Sequence, residues 1–264
     1  MDGMPAGTAA TGVDLTRLGA DLSAMLSGGS PGLRLALQSI CAAATLAPVG
    51  YEALLRWDHP EFGAVPARDI FAAAALAGCE TSLEAWIMVS AFRLRARWKP
   101  GGPYLAVNVS EAAIRNGLAG PMVRASLAMS GADPRGLSME VPEAAVMREL
   151  DASRDFARFL RQQGVVMALD DFGSLMGPAC VLRDIAFATV KIDPRLSLGV
   201  EGLTPESVRT RGVIAAVVDM AHALGATVVA EAVETAEQMA ALREVGCDAL
   251  QGWLMGRPGH GPID

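Results

Sequence analysis

Carboxylates, amides and one ammonium group close a succession of apolar, strand-like runs. They are Glu52 in VGYEALLRW, Asn108 in YLAVNVS, Glu140 in LSMEV, Asp170 and Asp171 in VVMALDD, Lys191 in ATVKID, Glu231 in TVVAE and Gln251 in DALQG. Taken singly, each has an ordinary explanation. Asp170-Asp171 ahead of Phe172-Gly173 reads as a strand-ending turn, Glu52 as a solvent-facing strand residue, and Lys191 with Asp193 as an exposed ion pair. Glu231 and Glu234 read as acidic residues favoured at a helix start. The set taken together is harder to dismiss. Strands that alternate with helices bring their carboxyl-terminal ends to one face, where active sites are built. A face with so many carboxylates stays ionised only if cations hold it together. The chain therefore reads as a metal-dependent enzyme or the descendant of one.

The elements that must position these groups follow a regular rhythm. Residues 1–13 are small and polar and are expected to be a disordered tail. Asp14 is a candidate N-cap for a helix through Leu15, Leu18, Leu22 and Leu26, stopped by the glycine-rich segment 27–32. The apolar run Leu33–Ala42 and the strand Val49–Trp57 predict an antiparallel start. Pro66 opens a helix, and a longer one spans Leu83–Trp98. Strands are then expected at Tyr104–Val109, Leu137–Val141, Val165–Leu169, Phe187–Ile192, Thr227–Ala230 and Ala249–Leu250. Helices are expected between them at Gly120–Met129, Glu143–Gln163, Ala179–Asp184, Pro205–Leu224 and Ala236–Val245. Gly164, Gly225 and Gly246 each stand just past a helix. This βα density predicts a (β/α)8 TIM-barrel-like α/β fold with an antiparallel first strand. The expected barrel runs over residues 14–258, with a short tail at 259–264. A doubly wound sheet is the alternative, but no GxGxxG follows an early strand.

Composition narrows the function classes. A length of 264 residues suits one such barrel, and 52% hydrophobic residues supply its core. Aromatics at 5% argue against a stacking surface for single-stranded nucleic acid. A net charge of −7 without any basic run argues against DNA, RNA duplexes and anionic membranes as partners. Cys41, Cys79, Cys180 and Cys247 are far apart, which disfavours zinc ligation and disulfides and reads as buried free thiols. His59, His222 and His260 have no metal-binding spacing and read as loop or surface residues. No segment is an uninterrupted apolar run long enough to span a bilayer, and the start lacks a signal peptide's pattern, so a cytoplasmic location is expected.

The ordered motifs resemble those of EAL domains, bacterial phosphodiesterases of cyclic di-GMP. The resemblance rests on Glu52-Ala53-Leu54 within YEALLRW, followed by HPEFGAVP, VNVS, MEVPE, LDDFG, VKID, AEAVET and QGWLMGRP, and it runs from about Asp14 to Pro258. It implies that Glu52, Asn108, Glu140 and Asp170 hold one Mg²⁺ or Mn²⁺. Asp171 and Glu231, bridged by Asp170, would hold a second. Lys191 would position or polarise the attacking water, and Glu231 would serve as general base. Gln38, Leu54, Arg56, Glu234 and Gln251 would line or support the substrate site, with Arg56 on a phosphate, and Glu143 would steady the loop after LDDFG. Two hard cations suit an anionic phosphodiester, because they generate hydroxide at neutral pH and neutralise developing charge. The implied partners are cyclic di-GMP, a homodimer mate near the fifth and sixth helices, and a signalling protein. The chain has no room for a separate sensor or cyclase domain, so control is expected from such partners.

The sequence departs from the family pattern mainly beside the ligands. Ser174-Leu175-Met176-Gly177-Pro178 replaces the usual TGYSS, Leu37 and Ser39 flank Gln38 in place of Tyr and Pro, Ala232 replaces a glycine, and Trp253 a tyrosine. The alternative is thus an EAL domain of weak or no turnover that acts as a cyclic di-GMP receptor.

Overall fold

Asp14 caps the first helix as expected, its Oδ1 accepting from the amides of Thr16 (2.9 Å) and Arg17 (3.2 Å). The computed structural model describes residues 13–28, 32–175 and 180–259. The expected disordered tail therefore lies almost wholly outside the described residues, as do Met176–Pro178 and most of the C-terminal tail. Along the chain come α1 (Leu15–Gly28), β1 (Leu33–Ala42), β2 (Pro48–His59), β3 (Gly63–Val65), α2 (Ala67–Ala77) and α3 (Glu80–Arg95). Next are β4 (Tyr104–Asn108), α4 (Glu111–Arg115), α5 (Ala119–Ser130), β5 (Leu137–Pro142), α6 (Glu143–Arg148) and α7 (Leu150–Gln163). The last are β6 (Val166–Phe172), α8 (Cys180–Asp184), β7 (Thr189–Ile192), α9 (Pro194–Ser197), α10 (Pro205–Ala223), β8 (Thr227–Ala230), α11 (Ala236–Glu244) and β9 (Ala249–Gln251).

The chain divides into two units. The first comprises the described residues up to Arg34 with Leu55–Trp86, and the second comprises Leu35–Leu54 with those from Ile87 onward. In the first, α1 packs on α2, and Gly19 lets the helices approach because a Cβ there would strike Ala73 O. His59 corrects the surface reading of the histidines. It is 7% exposed, its Nδ1 accepts from Glu61 N (3.1 Å), and its Nε2 faces Asp21 Oδ2 (3.3 Å).

The second unit holds the barrel. Its strands run β1-β9-β8-β7-β6-β5-β4-β2, and a β1–β2 pairing closes the cylinder. β1 is antiparallel to β9, whereas β2-β4-β5-β6-β7-β8-β9 pair in parallel. This is the predicted TIM-barrel-like α/β fold with its antiparallel first strand. Side chains alternate between faces along a strand, so register decides which residues share the interior. The pairs Glu52↔Ala106, Asn108↔Glu140, Glu140↔Ala168, Lys191↔Val229 and Ile40↔Gln251 put one set of residues inside. Inside the barrel Ile40, Ala106, Val229 and Ala249 pack together, with Tyr104 against them. Gly50 makes room for Tyr104, since any Cβ there would enter the ring.

Two expectations are revised. The helix expected over Glu143–Gln163 is broken at Glu149, which leaves the helical region at φ −123 and ψ 50 and separates α6 from α7. Of the cysteines, Cys41, Cys79 and Cys247 are buried as expected, but Cys180 is exposed at the start of α8. Gly164, Gly225 and Gly246 take the positive φ that ends their helices. Among the described residues no helix is long and apolar enough to cross a membrane.

Candidate active site at the mouth of the barrel

Lys191 is the hub of the site. It is 1% exposed, and its Nζ lies 2.8 Å from Glu231 Oε1, 3.0 Å from Glu140 Oε1, 3.1 Å from Asp170 Oδ1 and 3.6 Å from Glu52 Oε2. These carboxylates come from β2, β5, β6 and the residue after β8, so chain segments far apart in sequence meet at one ammonium group. The readings of Glu52 as a solvent-facing residue and of Lys191 as half of an exposed pair are overturned by their burial. Asn108 Nδ2 donates to Glu52 Oε1 (2.7 Å) and Gln251 Nε2 to Glu52 Oε2 (2.6 Å), which fixes both oxygens of that carboxylate. Gln251 also reaches Gln38 Oε1 (3.4 Å), and Gln38 Nε2 donates to Gly256 O (3.3 Å).

Adjacent residues of a strand normally point to opposite faces, yet Asp170 and Asp171 both offer oxygens to one place. A register shift between Leu169↔Val190 and Phe172↔Ile192 inserts an extra residue opposite β7. Asp171 takes φ +55, a left-handed conformation that Asp tolerates better than most side chains do. Such a bulge re-aims side chains. As a result Asp170, Asp171 and Glu231 offer ligand oxygens all within 4.8 Å of one another. The sequence reading placed both aspartates at the site but missed the bulge; the adjacent pair just before a Phe-Gly turn was its signal. Ala232, where the family pattern has glycine, is also left-handed (φ +51) and carries the strain a glycine would avoid.

Glu143, at the start of α6, reaches the loop after β6. Its Oε2 accepts from Gly173 N (3.1 Å), Ser174 Oγ (3.3 Å) and Leu175 N (3.0 Å). Glu143 thus contacts Gly173–Leu175, and the remainder of the departing segment lies outside the described residues. Gln38, Glu52, Glu231, Glu234, Gln251 and Trp253 are among the residues around a cleft of about 310 Å³ at the site. Leu54 is half-buried two residues beyond Glu52 on β2. Arg56 belongs to the other unit, where its Nη1 donates to Leu55 O (2.8 Å).

The charges do not balance within the protein. Burial alone would lower Lys191, but Glu140, Glu52, Glu231 and Asp170 raise it well above the usual lysine value, so it is a cation. Burial would raise Glu52, but Lys191 and the two amides outweigh it and hold this carboxyl below its usual range. Glu140 is pushed well above its range by burial and by repulsion from Glu52, Asp170 and Glu231, and Glu231 is pushed up to about 7 by burial, with repulsion from Asp170 adding to it. Asp171 is raised by burial and by Asp170. Glu140 Oε2 and Asp170 Oδ1 are buried without a hydrogen-bond partner, the latter close to Lys191 but unaligned with it. Buried acceptors without donors, in an all-oxygen set, fit a hard divalent cation.

A family model described as EAL domain matches residues 20–258. The chain belongs to the EAL domain family. Among solved structures, the PaMucR phosphodiesterase in complex with c-di-GMP superposes with a TM-score of 0.83 at 30% identity, covering 93% of this chain and 98% of that one. The manganese/cy-diGMP complex of Klebsiella pneumoniae BlrP1 gives 0.72 at 29%, covering 88% and 57%. The FimX EAL domain from Pseudomonas aeruginosa bound to c-di-GMP gives 0.81 at 21%, covering 94% and 97%, a likeness of fold alone. Of curated relatives, the cyclic di-GMP phosphodiesterase NbdA of Pseudomonas aeruginosa is 34% identical, covering 78% of this chain and 26% of that protein. The bifunctional diguanylate cyclase/cyclic di-GMP phosphodiesterase MucR of the same organism is 32% identical, covering 80% and 30%. The chain spans about a quarter to a third of the first curated relatives it matches.

Proposed function

We propose that this EAL domain hydrolyses cyclic di-GMP to linear pGpG with Mg²⁺ or Mn²⁺. The observation that carries the reading is the convergence of Glu52, Glu140, Asp170 and Glu231 on Lys191 at the barrel mouth, with two buried carboxylate oxygens left without donors. Glu52, Asn108, Glu140 and Asp170 would hold one ion, and Asp170, Asp171 and Glu231 a second. Asn108 spends its NH₂ on Glu52, which leaves its carbonyl oxygen free to ligate. When bound, two such ions lower the pKa of water and offset charge on the phosphoryl oxygens.

The chain's own residues supply the rest. Lys191, fixed by four anions, presents a permanent positive charge from beneath the reacting phosphate and donates to the attacking oxygen. Glu231, the carboxylate nearest Lys191, accepts the proton of the attacking water. Gln251 and Asn108 keep Glu52 from rotating. Glu143 holds the first residues of the β6 loop against the site. Gln38, Glu234 and Trp253 at the cleft contact the dinucleotide, and Leu54 completes its binding.

The test is chromatography of cyclic di-GMP incubated with the purified protein in Mg²⁺, Mn²⁺ or Ca²⁺. pGpG formed by the parent with Mg²⁺ or Mn²⁺, and none by Glu52→Ala, is the expected result. Intact substrate in every metal, while an active homologue cleaves it, overturns the hydrolytic reading. A receptor reading is favoured by the departure of Ser174–Pro178 from the family's loop. It predicts calorimetric binding of cyclic di-GMP without turnover.

A further inference from the structure

A second charged site stands outside the barrel, on the helices that precede and follow β6. Arg154, Arg158 and Arg161 occur at i, i+4 and i+7 along α7, which places them on one helix face. Phe156 and Leu160 on the opposite face are buried. Arg183 of α8 joins them, and the four arginines are among the residues lining an open cleft of about 450 Å³. Only one carboxylate, Asp184, is among its lining residues, and Ala157 and Ala186 keep its floor low. In a chain of net charge −7 the four arginines still outnumber by one the carboxylates paired with them, Asp151, Asp155 and Asp184.

The arrangement is partly locked and partly open. Asp184 Oδ2 takes Arg154 Nη2 at 2.6 Å and its Oδ1 takes Arg183 Nε at 2.8 Å, so one carboxylate ties α7 to α8 and orients two arginines. Among the described residues Arg158 pairs only with Asp155 on its own helix, in a solvent-exposed pair of small worth. Among the described residues Arg161 makes no ion pair, and no lysine lines the cleft. Planar forks of this kind suit bidentate pairing with phosphate oxygens, and the volume is that of a small-molecule site.

We infer that this cleft binds the phosphate of a small phosphorylated molecule of nucleoside-monophosphate size. The inference is independent of hydrolysis at the barrel mouth. Arg158 exchanges its exposed carboxylate partner for the phosphate, and Arg161 gains its first. Arg154 and Arg183, braced by Asp184 and, for Arg154, by Asp151 as well, supply oriented donors behind them. The preceding helix leads directly into the strand of Asp170 and Asp171, and Arg183 lies on the helix before the strand of Lys191, so occupancy touches both flanks of that strand.

The test is a titration of metal-free protein, labelled with ¹⁵N in its arginines, with pyrophosphate and with 5′-GMP, and guanosine as the phosphate-free control. Expected are shifts of the Nε–Hε signals of these arginines with both phosphates and none with guanosine, weakening as salt rises. Arg158→Gln with Arg161→Gln, both on the exposed face, should weaken binding by about tenfold or more while the melting temperature is kept. Arg183→Gln serves as a second variant from the other helix, with weakened binding expected. Absence of shifts at millimolar probe, or equal binding by the parent and both variants, overturns the inference.

Discussion

Replacing Lys191 by methionine keeps the volume of the hub and removes its charge, and the consequence follows from the distances around it. In metal-free protein the ammonium group is within 3.6 Å of four carboxylates, of which Glu52, Glu140 and Asp170 are buried and Glu231 half-buried. Removing one partner of a buried ion pair typically costs about 3–5 kcal/mol, because the remaining charge is stranded. Protonation of Glu140 and Glu231, both already raised, limits the loss to that range rather than to a sum over four pairs. For a domain of this size about 1 kcal/mol corresponds to roughly 2–4 °C, so metal-free Lys191→Met should melt about 6–20 °C below the parent. Mn²⁺ should then recover more stability in the variant, since the cation no longer competes with an ammonium group for the same oxygens. At a hundredfold excess over its dissociation constant a ligand contributes about 2.7 kcal/mol. The assay is thermal unfolding of both proteins, stripped of metal and then titrated with Mn²⁺. A variant melting within about 2 °C of the parent without metal, with equal gains on titration, would refute the reasoning, because the four contacts would then carry no net charge balance. Under the proposed hydrolysis the same variant should lose about 10²–10³ in kcat, with a smaller change in cyclic di-GMP affinity.

Three further outcomes rest on other contacts. Glu143→Ala removes the acceptor of Gly173 N, Ser174 Oγ and Leu175 N and should lower turnover about 10–100-fold, with faster amide exchange at Gly173 and Leu175. Unchanged exchange at those amides would contradict the contact. Gly50→Ala drives a methyl into the Tyr104 ring and should cost about 1–3 kcal/mol in denaturant unfolding, and a neutral result would mean that the packing around Tyr104 is loose. Asp184 is held below the usual carboxylate range by its hydrogen bond to Arg183 and then by Arg154. Its stabilising contribution is therefore present above the unfolded pKa and disappears as pH falls through the depressed folded value. Asp184→Asn should flatten that acid limb of a pH–melting profile and leave the neutral plateau lower. An unchanged acid limb would exclude the linkage.

What the sequence disclosed and what it hid follow from the range of each interaction. Strand ends were legible because alternation and helix-ending glycines are local, and Thr227–Ala230 lies where the pattern puts it. The break at Glu149 was hidden because apolar spacing continues through it, while the backbone that interrupts the helix has no residue signature. The bulge at Asp170 and Asp171 depends on pairing with β7, a partner that no window around the aspartates contains. The burial of His59 depends likewise on Asp21, far back in the chain. Lys191 is the instructive case. VKID reads as an exposed ion pair if only its neighbour Asp193 is considered, but Asp193 instead turns to Arg195. A short run of Thr-Val-Lys-Ile between two helices belongs to a strand covered on both faces, and a lysine there must be met by anions from other strands. Its own segment supplies none. The acidic ends of the remaining strands were therefore not separate features of the sequence but the partners that this one cation requires, and their number exceeds the single charge it supplies.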